Sequence, residues 1–389
     1  MVLKNSWKWR IGSVFVEFIV LIENLLKSPK SIRTHLANYY KSFQKIEINY
    51  IEDRNIPQID TNYGFTAGVI LDEFTSECLK YEFNLDPVLP NNYKEDRIAK
   101  WKFLLVESAW KGNKNTWTGK IGKYVGNNYK ELKKLLKLCK KHNVPTIFWN
   151  KEDPVHFDHF IKAAKLFDYV FTTDSNKIKD YKSKIGYENI FHLGFAAQPK
   201  IHHPNFNHEE RLNRICFAGS YWNNKYVYRK KMTDLLLRTA MPYGLDIYDR
   251  NLYKINNYEE FKFPQEFKNY IRGYIPFNQM SSTYRRYKVF LNVNSVTESP
   301  TMLSRRVFEL LASGTPVISS PSNAISKIFS GNEIFMSDQA SEIDDEINNL
   351  LNDPEYWNLR SEAGLRKVLN LHTYEIWVRN FIGIIQKTN

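Results

Sequence analysis

Short runs of apolar and β-branched residues alternate along the chain with stretches whose apolar positions fall three and four apart. From residue 66 the runs are TAGVIL (66–71), FLLVES (103–108), VPTIFW (144–149), YVFTTD (169–174) and NIFHLG (189–194). Helical spacing fills the intervals, most clearly at 128–142 and 156–167. Continuous apolar runs divided by amphipathic segments predict parallel strands covered by helices on both faces. A stretch rich in His, Pro and Asn follows, QPKIHHPNFNHEE (198–210), and reads as an interdomain linker. The rhythm then restarts with RICFAGSY (214–221), GLDIYD (244–249), KVFLNVNS (288–295), TPVISS (315–320) and NEIFMSD (332–338), and a mostly helical tail closes the chain. The pattern predicts an α/β protein with two doubly wound Rossmann-like halves facing each other across a cleft. Ligands in such sheets bind beyond the carboxyl ends of the strands.

Composition adds little that contradicts this. The 389 residues are 43% hydrophobic and 25% charged, as in ordinary globular proteins. The formal net charge of +13 calls for an anionic partner, such as a nucleotide, an anionic polymer or a membrane surface. The basic residues are spread out rather than clustered with stacking aromatics, so nucleic acid is not expected. Runs such as KELKKLLKLCKKH (130–142) read as the wet face of a helix. Cys78, Cys139 and Cys216 lie far apart without a metal-binding spacing and read as reduced core residues, which suits a cytoplasmic location. Residues 7–27 share an apolar face at helical spacing, interrupted by Glu17 and Glu23, so they make a poor membrane span. No small-residue cleavage site marks them as a signal peptide. Trp7, Lys8, Trp9 and Arg10 at one end suit contact of residues 1–30 with the inner membrane face; packing on the protein itself or on a second subunit, as a homodimer, is the alternative.

Candidate chemistry gathers after strands. In SPTMLSRRVFELLASGTPVISS (299–320) a loop leads into a helix with Ser304, Arg305 and Arg306 in its first turn and Glu309 a turn later. Free N–H groups and two arginines suit a diphosphate, and the carboxylate behind them suits a ribose diol. An Arg306–Glu309 pair on a solvated face is the competing reading. After the first strand of the second half, Gly219 and Ser220 form a turn that a ligand can approach, with Lys225 and Arg229 placed to neutralise a leaving diphosphate. Asp72 and Glu73 end the first strand, where they are candidate acid–base residues or helix caps. Glu107, with Trp110 and Trp117 in the loop beyond it, reads as a place for an acceptor sugar, the indoles stacking on the ring. Glu152, Asp153 and His156 follow another strand, the carboxylates placed to orient or deprotonate a hydroxyl. No Walker A, G-x-G-x-x-G or G-x-S-x-G pattern is present. His202, His203 and His208 are not read as a metal site; Asp344-Asp345 lies in the helical tail, and no D-x-D stands in a suitable context.

FELLASGTPVIS (308–319) resembles the donor-site helix of GT-B nucleotide-sugar glycosyltransferases. FDYVFTTDSN (167–176), FHLGFAAQPKIHHP (191–204), ICFAGSY (215–221) and RGYIPFNQMSSTYRRYKVFLNVNS (272–295) resemble, in order, their last N-terminal strand, domain linker, first donor-domain strand and approach to the donor loop. A narrower set, DEFT (72–75), WNKEDPVHF (149–157), the 299–319 stretch and HTY (372–374), is similar to bacterial spore-maturation CgeB-like proteins. The resemblance implies an N-terminal helical extension (1–45), an acceptor domain (46–200), a donor domain (201–368) and a last helix (369–389) packing back on the acceptor domain. A UDP-sugar is the favoured donor; the missing D-x-D favours a reaction that requires no metal or cofactor, and the basic balance with the cationic, Trp-bearing N-terminal helix suits an acceptor hydroxyl on an anionic glycan or lipid-linked precursor of cell-surface polysaccharide. Retaining members carry a Glu eight residues before the helix Glu; here that position is Thr301, with Met302 beside it and Glu298 three residues earlier, and all three are assigned to the donor loop. Retention of configuration is the expected outcome. The alternatives are a catalytically silent GT-B scaffold, a DNA-binding or DNA-modifying transferase, and a sugar-nucleotide epimerase of the same fold.

Overall fold

The computed structural model describes residues 63–204, 211–253 and 258–388. The expected extension over residues 1–45, its suggested membrane contact and His208 lie outside the described residues. Strands β1 (Thr66–Ile70), β2 (Asn84–Pro87), β3 (Leu104–Glu107), β4 (Thr146–Asn150), β5 (Tyr169–Thr172) and β6 (Ile190–His192) build a parallel sheet in the order β2-β1-β3-β4-β5-β6. Strands β7 (Leu212–Gly219), β8 (Leu245–Asp249), β9 (Ile271–Gly273), β10 (Tyr287–Asn292), β11 (Val317–Ser319) and β12 (Phe335–Met336) build a second, in the order β12-β11-β10-β7-β8-β9. Every strand pairing within these sheets is parallel.

Alternation along the strands feeds two cores per sheet. In β3, Leu104 and Val106 join the core on one face, while Phe103 just before the strand and Leu105 join the other. Helices α1 (Glu73–Leu79), α2 (Lys130–Lys141), α3 (Phe157–Ala164) and α4 (Lys177–Ile185) accompany the first sheet. The second has α5 (Val227–Ala240), α6 (Phe277–Arg286), α7 (Arg305–Ala312), α8 (Asn323–Ile328), α9 (Ala340–Asn352) and α10 (Pro354–Leu371). The apolar helix faces read from the sequence are the buried ones: Leu132, Leu135, Leu136 and Cys139 of α2 face inward while its lysines stay in water.

The last helix, α11 (Tyr374–Thr388), returns to the first sheet. Its residues Tyr374, Trp377, Val378 and Phe381, at helical spacing, share a core with Val69, Phe103 and Trp149. Gly314 ends α7 in a left-handed conformation (φ 65°), and a Cβ there would lie 2.9 Å from Cβ of Pro204 in the linker. Glycine is therefore required where the donor-side helix, the next strand and the linker meet. Strands β2 and β9 escape the sequence reading because NLDP and IRG are short edge strands, and Pro87 in β2 is tolerated only at an edge.

Candidate active site

The strand order of the second sheet reverses between β7 and β10, and the carboxyl ends there are the place for a ligand. Two arginines straddle it. Arg306, in the first turn of α7, donates to the carbonyl of Ala218 at the end of β7. Arg229, on α5, donates to Val293 O at 2.5 Å and to Ser220 O at 3.5 Å. Both Nε atoms are buried without a hydrogen-bond partner. Arg229 is pushed down to about 10, by burial first and then by Arg306. Arg250, just past β8, is also lowered, by burial and then by Arg306 and Arg305, against an upward pull from Glu152. Arg229, Arg250 and Arg306 form no ion pair among the described residues. Cations that disfavour one another's charge in this way are stabilised by an anion placed between them. Lys225 is exposed nearby and within electrostatic reach of His156 across the cleft.

The floor of the first sheet is a buried ion network. Glu107 accepts from Thr75 Oγ1 (2.7 Å), Lys151 Nζ (2.9 Å) and the Asp72 amide. Lys151, its side chain 3% exposed, also meets Asp72 at 3.0 Å. Burial raises the Glu107 carboxyl, with Lys151 opposing. Burial also pushes Asp72 upward, but Lys151 and the amides of Gly112 and Lys111 outweigh it and hold the group below its ordinary value. Phe74 lies between the two halves: Lys151 Nζ is 4.1 Å and the Arg305 guanidinium 3.8 Å from its ring centroid. The loop between β10 and α7 crosses as well. Ser299 donates to Asp174 (2.6 Å), and the Thr301 hydroxyl donates to Thr173 O (3.1 Å) while accepting from the Ser175 amide (2.9 Å). The carboxyl ends of the two sheets thus face one another.

Several expected site residues have other work here. Glu107 is fully buried with both oxygens engaged, so it holds the floor rather than an acceptor. Trp117 is fully buried and donates to Val88 O at 2.7 Å, so it is core and offers no face to a sugar. Asp153 is buried, accepts from Asn150, Thr172 and Tyr181, and is pushed up to about 7 by burial; it organises the strand end instead of meeting substrate. Asp72 is consumed by Lys151 and two amides. Glu309 pairs with Arg305 (2.7 Å), not Arg306, and accepts from Tyr284 (2.9 Å), so both of its oxygens are engaged inside the protein. Thr301 is spent on the domain junction, and the Met302 amide on Ser299 Oγ (2.9 Å). A Cβ on Gly219 would lie 2.9 Å from the Phe217 ring, so intramolecular packing already requires glycine there. Glu298 and Glu73 are exposed, and Ser304 caps α7 through its backbone without a side-chain bond.

What remains on the cleft is Glu152, partly exposed and 4.0 Å from His156, opposite Arg250. His156 is lowered by burial, with Glu152 pulling upward and Lys225 downward. Trp110 stacks on His159 (4.9 Å) and meets His156 edge-on (5.1 Å). Sequence reasoning missed Lys151, Phe74, Arg250 and Ser299. Lys151 carried a signal, a lone cation directly after five strand residues that are all buried.

Residues 210–383, just under half of the chain, match a family model described as glycosyl transferase-like. No curated protein matches the chain at a significant level. Among solved structures, an alpha-glucosyltransferase in complex with UDP and a 13-mer DNA containing an HMU base is 12% identical, with TM-score 0.59, covering 83% of this chain and 100% of that one. The alpha-glucosyltransferase complex with UDP-glucose and abasic DNA gives 11% and TM-score 0.57, covering 83% and 99%. Sucrose-phosphate synthase from Thermosynechococcus elongatus gives 11% and TM-score 0.50, covering 84% and 99%. The fold is GT-B. Both Rossmann-like halves of that fold are present, and the basic cluster lies on the half that the family model matches. Among the described residues no helix is long and apolar enough to cross a membrane.

Proposed function

We propose that this chain is a glycosyltransferase that moves a sugar from a nucleoside diphosphate sugar to an acceptor hydroxyl. The observation that carries the reading is the convergence of Arg229, Arg250 and Arg306 on the strand switch point of the second sheet without a carboxylate of their own. These guanidiniums, with Lys225 at the rim, neutralise the diphosphate. The acceptor oxygen attacks the anomeric carbon as the bond from that carbon to the β-phosphate oxygen breaks, and the diphosphate leaves with the electron pair. Glu152, with His156 beside it, is the group placed to take the hydroxyl proton. Arg305 and Glu309 act indirectly, by fixing α7 against Phe74 and Tyr284. Closing the cleft keeps water from the donor.

The finer reading is a UDP-sugar donor and an anionic glycan or lipid-linked acceptor in cell-surface polymer synthesis, in a chain similar to CgeB-like proteins. On this reading the chain works in the cytoplasm, at the inner membrane face. A thermal-shift series with UDP, GDP, ADP, CMP and TDP, with and without Mg²⁺, tests the donor site. A ligand at 100 times its Kd stabilises by about 2.7 kcal/mol. UDP is expected to raise the melting temperature of wild type and to raise that of Arg306→Ala by clearly less. No shift with any nucleotide would remove the reading. Retention is checked by the anomeric configuration of the product, read by NMR.

A further inference from the structure

A groove of about 610 Å³ runs between α11, the segment after β6 and the outer side of α7 and α8. This volume falls within the ~300–1,000 Å³ of small-ligand sites. Leu193, Phe195, Phe308, Ile328, Ile376 and Ile384 give it apolar walls, and among the described residues no carboxylate lines it. Arg379, Gly383 and Lys387 follow one another at four-residue intervals on its α11 edge. The two cations are exposed and unpaired among the described residues. They stand roughly 12 Å apart along the axis, so each long side chain reaches halfway, to a point above Gly383.

Gly383 itself lacks a structural reason. Glycine is the weakest helix former after proline, yet this one sits in the interior of a fifteen-residue helix. Its φ is not positive, and a Cβ built there meets nothing within 4 Å. His372, on the same groove, has a buried Nε2 without a hydrogen-bond partner.

We propose that the groove binds a lipid phosphate, its headgroup seated over Gly383 between Arg379 and Lys387 and its hydrocarbon chain laid along the apolar walls. An arginine fork and an ammonium suit a phosphate monoester, and the open helix surface lets it approach the backbone. Thr301 also lines the groove, so an occupant would touch the donor loop where it bridges the two halves. In the transferase reading this is where a lipid-linked acceptor would be held, but lipid binding itself does not depend on that reading.

The test is calorimetric titration of the full chain with dodecyl phosphate below its micelle concentration. Saturable binding is expected, weakened at least tenfold in Gly383→Leu and to a similar extent in an Arg379→Gln/Lys387→Gln variant. Both variants should melt no lower than wild type and keep its UDP shift, which separates failure of this site from failure of the donor site. Gly383→Ala, with only a methyl added, should weaken binding by a smaller factor. Dodecanol should bind more weakly than dodecyl phosphate. Unchanged affinity in Gly383→Leu, or dodecanol binding as tightly, overturns the proposal. So does binding to phosphatidylglycerol vesicles without binding to the monomer, which would make the surface a bilayer contact. A dimer in solution that Gly383→Leu dissociates would likewise overturn it, by giving the groove to a second copy of the chain.

Discussion

Arg306 and Arg229, beside the strand switch point of the second sheet, keep unspent hydrogen-bonding capacity at a buried Nε. A hydrogen bond involving a charged group contributes about 1.5–3 kcal/mol, so Arg306→Ala should raise the Kd for UDP by about 10–100-fold. Arg306→Lys should recover little, because an ammonium does not reproduce the planar fork. Calorimetry with UDP checks both, and an Arg306→Ala protein that binds as wild type would take the diphosphate away from this turn. His202 offers a second residue-scale prediction. Its ring is buried, its Nδ1 accepts from the Gln198 amide at 3.1 Å, and burial lowers it from 6.5 to about 4 despite Glu309 nearby. Below pH 6.5 the unfolded chain takes up a proton that the folded chain refuses, so this contribution is complete above 6.5 and is lost as pH falls towards 4. Asp153, raised to about 7 by burial, works in the opposite sense: its burial disfavours folding increasingly as pH rises from 3.8 to 7. Comparing wild type with His202→Gln cancels the Asp153 part. The stability difference between them, read from urea unfolding, should grow by on the order of 3 kcal/mol from pH 4 to 7. A flat difference would mean that His202 titrates normally in the folded protein.

At the scale of elements, hydrophobic period carried most of the fold. Runs such as TIFWN and YVFT are buried throughout, and only a strand covered on both faces tolerates that. The edge strands β2 and β9 carry no such pattern, since an edge needs neither full burial nor a donor at every position. For the site, the sequence located the carboxyl ends of strands correctly but not which way each polar side chain turns. Glu107 and Trp117 look like surface groups in sequence because nothing local reveals Thr75, Lys151 or Val88 O, partners that lie 29 to 44 positions away. The donor loop shows the same effect. The Thr301 hydroxyl joins residues more than a hundred positions apart. Thr301→Val keeps the shape and removes both bonds. Amide exchange at Ser175 should quicken several-fold, and the two halves should separate more readily, as measured by small-angle scattering. Unchanged exchange at Ser175 would show that the loop does not hold the halves together. Gly314 is a test of a different element boundary: Gly314→Ala should destabilise by about 1–3 kcal/mol, since it combines a left-handed residue with a contact on Pro204.

For the whole molecule, the decisive connection is that α11, the last described helix, packs on the sheet built by the first described strands. Phe381 packs edge-on against Phe103 at 5.2 Å and Trp377 against Trp149 at 5.2 Å, so the core of the first sheet is completed by residues from the far end of the sequence. The first half does not complete its apolar core by local contacts alone. The unfolding of one half is therefore coupled to that of the other through α11, with the donor loop and the Lys151–Phe74–Arg305 contact adding to the coupling. Phe381→Ala removes a fully buried ring and should cost about 3–5 kcal/mol. The loss should not appear where the residue lies in sequence. Amides of β1, β3 and β5 should lose protection, whereas those of β7 and β10 keep theirs until the global transition. Hydrogen exchange resolved by peptide distinguishes the two. Loss of protection confined to residues 340–388 would mean that α11 belongs energetically to the second half, and that the sheet it covers stands without it. Loss in the first sheet means that the last fifteen residues of the described chain are part of the first half's core, and that the cleft geometry depends on them.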